Sequence, residues 1–465
     1  MARPSLPLRA TLGAARAAGS LSRAAGRGGG TTLPGRVALA LDPAAPTRLA
    51  ARLPLGSALV SATNGKTTTC AMAAAIAGGE IRLCRNGAGA NLVSGVTAAL
   101  AACNGAQLGL FECDEAALGG IAARLDPHTI ALGNLFRDQL DRYGELELVA
   151  ERWRELVAGL PPSTLVVACA DDPVCADLVD GRRAALRYGI DDPALALEEM
   201  EHASDSRWCV RCGTPYEYRA IWFGHLGDYR CPACGHGRPP LQVAAQQVHP
   251  VGLDAIAFRL VTPLGTCDVR LPVPGLYNVE NALAAASLCL ALGIPLEQIR
   301  VGLHRFRGAF GRFQRFDLDD RSAVMLLVKN PAGANEALRT LAGGGDGPLV
   351  ALAALNDRIA DGRDVSWIWD VDWERIAPRL SRVVATGTRA ADMALRLRYA
   401  GVEGTVIEVV PDTTRAFDRA TELAGPGGTA YLLATYTAML ELQRTVAGRG
   451  LVRPYWEDPA EAGVA

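Results

Sequence analysis

Ser61-Ala62-Thr63-Asn64-Gly65-Lys66-Thr67-Thr68-Thr69 is the stretch that decides the fold. The apolar run Ser57 to Val60 leads into it as a buried strand would. Behind it, Cys70 to Ala77 is small, apolar and Ala-rich, the composition of a packed helix. A glycine between strand and helix lets backbone N–H groups turn inward around an anion at the helix N-terminus. In such a loop Lys66 supplies a point charge for the β- and γ-phosphates, and the Thr67 hydroxyl is placed to ligate Mg²⁺. A full G-x-x-x-x-G-K-[ST] pattern would carry glycine at position 60, where this chain has Val60. The alternative is an ordinary strand–turn–helix with a lysine there by chance.

Outward from the loop, short apolar runs end repeatedly in polar residues. Leu108 to Phe111 runs into Glu112-Cys113-Asp114-Glu115, and Thr129 to Leu132 into Gly133-Asn134 and then Arg137-Asp138. Leu165 to Ala168 is followed by Asp171-Asp172-Pro173. Interleaved helical patterns such as Glu147 to Leu160 make these βαβ units of a mainly parallel sheet. A carboxylate at the C-terminal end of a strand beside a phosphate loop is where a Mg²⁺ ligand belongs. Singly, each such carboxylate is equally well a helix cap or a solvated turn; their recurrence singles out Glu112 and Asp138.

The chain has 465 residues, enough for two or three domains. Hydrophobic content of 49% and charged content of 21% describe a globular protein. A net charge of −2 gives no electrostatic case for nucleic acid or an anionic membrane as main partner. The longest apolar run, Ala282 to Leu292, is too short to span a bilayer, so no transmembrane segment is expected. Residues 1–41 hold no acidic residue and scatter Arg3, Arg9, Arg16, Arg23 and Arg27 among Ala and Ser. That composition suits a transit peptide; the preferred reading is a surface helix, then a hinge at Gly28-Gly29-Gly30 and a turn over Thr31 to Gly35.

Of the 12 cysteines, Cys209-x-x-Cys212 and Cys231-x-x-Cys234 form two knuckles, each followed by glycine (Gly213 and Gly235). Four thiolates converging from two tight turns make a closed, structural Zn²⁺ site. Such a site contributes on the order of 10–16 kcal/mol to the folding of small modules. Two disulfides or an iron–sulfur cluster are the rivals. The other eight cysteines, among them Cys84, Cys103 and Cys267, sit in apolar stretches like free buried thiols. His236, beside the second knuckle, reads as a bystander. The ribbon's aromatics suit nucleic acid, but Glu217 and Asp228 dilute its charge and the flanks are not basic.

Thr63-Asn64-Gly65-Lys66-Thr67-Thr68, Glu112 after its strand, Asn278-Val279-Glu280-Asn281-Ala282 and Gly311-Arg312-Phe313 resemble the Mur ligase central domain over about residues 40–315. That resemblance implies ATP and Mg²⁺, with Thr63, Asn64, Gly65, Lys66, Thr67 and Thr68 on the phosphates. It implies Glu112 and Thr67 on the metal, Asn281 at the adenine and Arg312 reaching the nucleotide from the domain edge. Ala62, where these ligases usually have glycine, and Gln314, where many have glutamate, depart from the pattern.

Further on, Leu327-Val328-Lys329-Asn330-Pro331-Ala332-Gly333-Ala334-Asn335 stands where amino-acid-adding ligases carry a His-Asn-Pro stretch. Ala354-Leu355-Asn356-Asp357 and the run Ala360 to Asp370 follow. With the four-cysteine insert and no N-terminal UDP-sugar domain, these segments resemble the MurT family, the ligase-like subunits of lipid II isoglutaminyl synthase. The implied fold is α/β: a Mur ligase-type P-loop ATPase domain over 41–315 with a zinc ribbon inserted at 205–238, after an N-terminal helix and hinge over 1–40. A Rossmann-like α/β domain over 320–465 would dock the glutaminase subunit.

The implied reaction is ATP-dependent amidation of the D-glutamate α-carboxyl of the lipid II stem peptide to D-isoglutamine, through an acyl phosphate. The implied place is the cytoplasm, at the inner face of the membrane. Ammonia would come from a GatD-like glutamine amidotransferase subunit in a heterodimer. An aspartate of this chain would complete that subunit's triad: Asp364 by preference, since Gly362 loosens its loop, then Asp361, with Asp370 a third candidate; the alternative for any of them is a cap on the helix around Trp367. No cysteine here sits in a glycine-flanked strand-to-helix turn, which fits an ammonia donor in trans. An apolar docking surface is expected around Trp367, Trp369 and Trp373. Strands are expected at Ala323–Val328, Leu349–Ala354, Arg382–Ala385, Val406–Val410 and Ala430–Ala434, and disorder after Pro454. Two other functions fit the same motifs: an amino-acid-adding ligase of the Mur or folylpolyglutamate type, and a non-catalytic nucleotide-binding scaffold.

Overall fold

Five consecutive buried residues, Ser57–Ser61, form β1, an interior strand of a largely parallel sheet. Both faces of such a strand are covered by helices, which is why its sequence is an uninterrupted small and apolar run. The computed structural model describes residues 8–24, 32–78, 80–87, 89–137, 146–201, 204–251, 255–308 and 312–451. The same sheet contains β2 (Leu83–Arg85), β3 (Leu108–Glu112), β4 (Thr129–Leu132), β5 (Leu165–Cys169) and β6 (Ala185–Ile190). An antiparallel hairpin, β7 (Glu217–Phe223) and β8 (Leu226–Arg230), stands apart as its own two-stranded sheet. Then β9 (Val243–Val251), β10 (Ala255–Thr262) and β11 (Gly265–Leu271) return to the first sheet, giving nine strands in the order β11-β10-β9-β6-β5-β4-β1-β3-β2.

Because β1 lies between β3 and β4, their three C-terminal ends open at one edge, where α/β folds bind ligands. The helix Leu276–Ala291 packs against the loop helix Lys66–Ala77. It is buried from Asn278 to Cys289, so its alanines make room for close packing, not for solvent exposure. The N-terminal helices Leu8–Ala24 and Leu33–Leu41 pack against Val93–Ala102.

A second sheet has six strands: β12 (Arg312–Leu318), β13 (Arg321–Leu327), β14 (Leu349–Ala354), β15 (Leu380–Thr386), β16 (Ile407–Val409) and β17 (Thr429–Ala434). Their order is β12-β13-β17-β14-β15-β16, all parallel except the β12–β13 edge pair. Separate apolar cores cover its two faces, one including Trp373 and Met393, the other Phe417 and Met439.

Four expectations are corrected. Where a turn ending at Gly35 is expected, a helix starts at Leu33 with Pro34 in its first turn, where a missing N–H costs nothing. Cys84 on β2 and Cys103 at the end of helix Val93–Ala102 form a disulfide, with Cα atoms 5.7 Å apart. The fold brings an edge strand and a helix end together, a proximity that spacing does not show. Cys267 is half-buried, not enclosed. Trp373 is 2% exposed and belongs to the core, while Trp369 is 47% exposed. The tail after Pro454, the hinge at Gly28 to Gly30 and Asp138 lie outside the described residues.

Candidate active site

The loop Ala62 to Gly65 links β1 to the helix Lys66–Ala77 and is held from β4. Asn134, just past β4, accepts from the Thr63 N–H through its carbonyl (2.7 Å) and from the Asn64 N–H through Oδ1 (2.9 Å). Its amide donates back to the Asn64 carbonyl at 3.2 Å. Thr63 Oγ1 accepts from the Phe136 N–H at 3.0 Å. Gly65 has φ +93°, and a Cβ there would lie 1.9 Å from Asn281 Oδ1. Only glycine lets the backbone turn this tightly against the neighbouring helix.

Lys66 is 6% exposed; its ammonium donates to the Ala62 and Thr63 carbonyls and pairs with Glu115 Oε2 at 2.9 Å. Thr67 Oγ1 donates to Glu112 Oε2 at 2.8 Å. Glu112 is fixed by Asn86, whose Oδ1 accepts from its N–H (3.0 Å) and whose amide donates to its carbonyl (2.8 Å). A hydroxyl and a carboxylate this close, beside a lysine, form the hard oxygen donor set that suits Mg²⁺ on a phosphate. Thr68 is buried at 3% exposure. Asn281 Oδ1 accepts from Thr69 Oγ1 at 3.4 Å, which places it at the loop. Arg312 opens β12, and its side chain lies outside the described residues.

The second unit reaches this loop. Asn330 donates to Asn64 Oδ1 at 3.0 Å while capping helix Pro331–Gly343, and Lys329 Nζ donates to the Thr63 carbonyl at 3.3 Å. A cavity beside the loop is lined by Asn64, Gly65 and Asn281, by the aromatic rings of Tyr277, Phe136 and Phe223, and by Lys329 and Glu336 of the second unit. Burial pushes the Glu336 carboxyl up to about 7. It also pushes Glu280, which accepts from the Cys169 thiol at 2.6 Å, well above the carboxylate range.

The Sγ atoms of Cys209, Cys212, Cys231 and Cys234 all lie within 4.8 Å of one another. Four converging thiols fit a tetrahedral Zn²⁺. His236 Nδ1 is 4.0 Å from Cys209 Sγ and 2.8 Å from the Tyr216 hydroxyl.

The three candidate aspartates differ in kind. Asp361 is 4% exposed, and its carboxylate accepts from the Thr437 N–H (2.7 Å) and hydroxyl (2.5 Å). Asp364 is exposed and accepts from the Ser366 N–H at 2.8 Å, which holds its carboxyl below the usual range. Asp370 faces Arg137 at 3.8 Å. The roles of Glu115, Asn86 and Asn134 were not assigned from sequence. Glu115 stands in the quoted Glu112-Cys113-Asp114-Glu115 run, three residues past the metal-site carboxylate, and that position was the available signal.

Fold and site define an α/β ligase of the Mur type. Residues 60–224 match the Mur ligase middle domain family. A solved pseudomurein peptide ligase type C from Methanothermus fervidus superposes with a TM-score of 0.65 at 21% identity, covering 85% of this chain and 79% of that one. Residues 327–439 match the MurT ligase C-terminal family. The MurT subunit of lipid II isoglutaminyl synthase (glutamine-hydrolyzing) from Staphylococcus aureus (strain N315) is 31% identical over 84% of this chain and 88% of its own length. Its counterpart from Streptococcus pneumoniae (strain ATCC BAA-255 / R6) is 31% identical over 92% and 94%. The chain belongs to the MurT family. No helix among the described residues is long and apolar enough to cross a membrane.

Proposed function

We propose that this chain is the ligase subunit of a lipid II isoglutaminyl synthase. The observation that carries the reading is the Lys66, Thr67 and Glu112 constellation at the ends of β1 and β3, capped by Lys329 and Asn330 from the second unit. The N-terminus of the helix that starts at Lys66 and the Lys66 ammonium would hold the phosphates of ATP; Thr67 and Glu112 would hold Mg²⁺. Bound Mg²⁺–ATP supplies the electrophilic γ-phosphoryl group and neutralises its oxygens.

A carboxylate oxygen of the D-glutamate residue bonds to the γ-phosphorus as the bond to ADP breaks. Ammonia then attacks the acyl carbon and loses a proton, phosphate leaves, and D-isoglutamine remains. Lys66 must exchange Glu115 for phosphate oxygens during this cycle, so Glu115 keeps the ammonium positioned between turnovers. Position and charge, not covalent chemistry, do the work.

Ammonia arrives from a GatD-like glutaminase subunit, in the cytoplasm at the membrane face that carries lipid II. Asp364 is the aspartate offered to that partner's triad, because its carboxylate is exposed whereas Thr437 occupies Asp361. Ile359, 77% exposed beside a surface hollow formed with Arg358 and Arg363, supports docking there. Zn²⁺ on the four cysteines is structural, with no ligand position left for a substrate.

The test supplies purified protein with ATP, Mg²⁺, lipid II and ammonium chloride and reads product mass. Conversion of one carboxyl to a carboxamide with ADP release is expected. Addition of a whole amino-acid residue, or no ADP release with any stem-peptide substrate, would overturn the reading.

A further inference from the structure

The four-cysteine ribbon is wedged, not appended. Its β7–β8 hairpin carries the cysteine cluster at one end; the other end, Trp222 to Leu226, is buried in the main core. Glu201 accepts from the Gly224 N–H (2.9 Å), and Ser204 Oγ donates to the Gly224 carbonyl (2.8 Å). His225, fully buried, meets Asp172 at 3.3 Å, and its ring centroid lies 4.5 Å from that of Phe136. Gly224 has φ +55°, and a Cβ there would meet Phe136 at 2.6 Å. Phe136 is in turn bonded to Thr63 of the phosphate loop. From the other side, Arg339 donates to the Trp222 carbonyl and Arg375 pairs with Glu201 at 3.3 Å, both from the second unit.

This mounting puts Phe223, 5% exposed, in the lining of the cavity that Asn64 and Gly65 also line. Phosphates belong against Gly65 and the helix N-terminus behind it. The same lining carries Phe136, Phe223 and Tyr277, aromatic side chains that suit a flat, π-faced group. We infer that Phe223, at the tip of the cysteine ribbon, packs against the nucleobase in the nucleotide site, so that metal on the four cysteines sets affinity for the base. The inference rests on the nucleotide reading above and adds to it the element that recognises the base. A ribbon without metal loses the cross-link that fixes β7 against β8, and Phe223 loses its backing.

The experiment is calorimetric titration of the full-length protein with Mg²⁺–ADP and, separately, with inorganic tripolyphosphate, which has phosphates and no base. Phe223→Ala is expected to weaken ADP on the order of tenfold while leaving tripolyphosphate unchanged. Phe223→Leu, which keeps the buried bulk, is expected to weaken ADP roughly threefold, again selectively. Protein stripped of metal, with metal content measured directly, should show the selective loss of Phe223→Ala. ADP binding equal to the unmodified protein in both variants would overturn the inference. So would a parallel loss of ADP and tripolyphosphate, or metal removal without effect on ADP. If the unmodified protein binds neither ligand, the nucleotide reading itself fails and takes this inference with it.

Discussion

Replacing Lys66 separates what the lysine does for stability from what it does for chemistry. Its ammonium lies 2.9 Å from Glu115 Oε2, and the two side chains are only 8% and 13% exposed. Lys66→Ala therefore strands a carboxylate with little water to solvate it. Breaking a buried pair from one side costs about 3 kcal/mol or somewhat more. The catalytic loss is separate: withdrawing one preorganised charge from a transferring phosphoryl group costs roughly 100- to 1,000-fold in rate. Urea denaturation measures the first, and ammonium-driven ADP release with lipid II the second. Adding Glu115→Gln to Lys66→Ala removes the stranded charge, so stability should return while activity stays lost. Product formation within a few-fold of wild type in the single variant, or recovery of activity in the double, would refute the reasoning.

Three further outcomes follow from the same geometry. Glu112→Gln keeps an acceptor for Thr67 but loses the charge, so the Mg²⁺ concentration for half-maximal activity should rise at least about tenfold. Glu336 has its carboxyl raised from 4.5 to about 7 by burial, so the folded state holds the proton more tightly than the unfolded state. That contribution is full below pH 4.5 and is lost as pH rises through about 7, a change of roughly 3 kcal/mol, and Glu336→Gln should flatten stability across that window. With the glutaminase partner present, Asp364→Asn should abolish glutamine-driven amidation while ammonium-driven amidation continues. Asp361→Asn should instead lower the melting temperature, because its carboxylate holds Thr437.

The parts of the fold written in local sequence were the parts that could be read. The apolar run before Gly65 and the Ala-rich run after it dictate a buried strand and a packed helix, and the structure has both. The two cysteine knuckles lie within one short segment, so their convergence follows from spacing. What stayed hidden depends on contacts between distant segments. Nothing local to Glu115 says that it pairs with Lys66, and nothing local to Asn86 says that it holds Glu112. β12 went unread because Arg312 to Leu318 mixes charged and apolar residues, the pattern an edge strand can carry. Tryptophan content suggested a surface at Trp373, where tertiary packing made a core. Asp361 and Asp364 look alike in sequence, yet Thr437 meets the buried Asp361 whereas the exposed Asp364 accepts from the nearby Ser366 N–H.

The account turns on a carboxylate being phosphorylated before nitrogen arrives, and following heavy oxygen tests that step directly. Lipid II with its D-glutamate α-carboxyl labelled at both oxygens would be amidated with ammonium chloride, and the released phosphate examined by mass spectrometry. One labelled oxygen in the phosphate for each amide formed is the predicted result. Amide formation with unlabelled phosphate would contradict it.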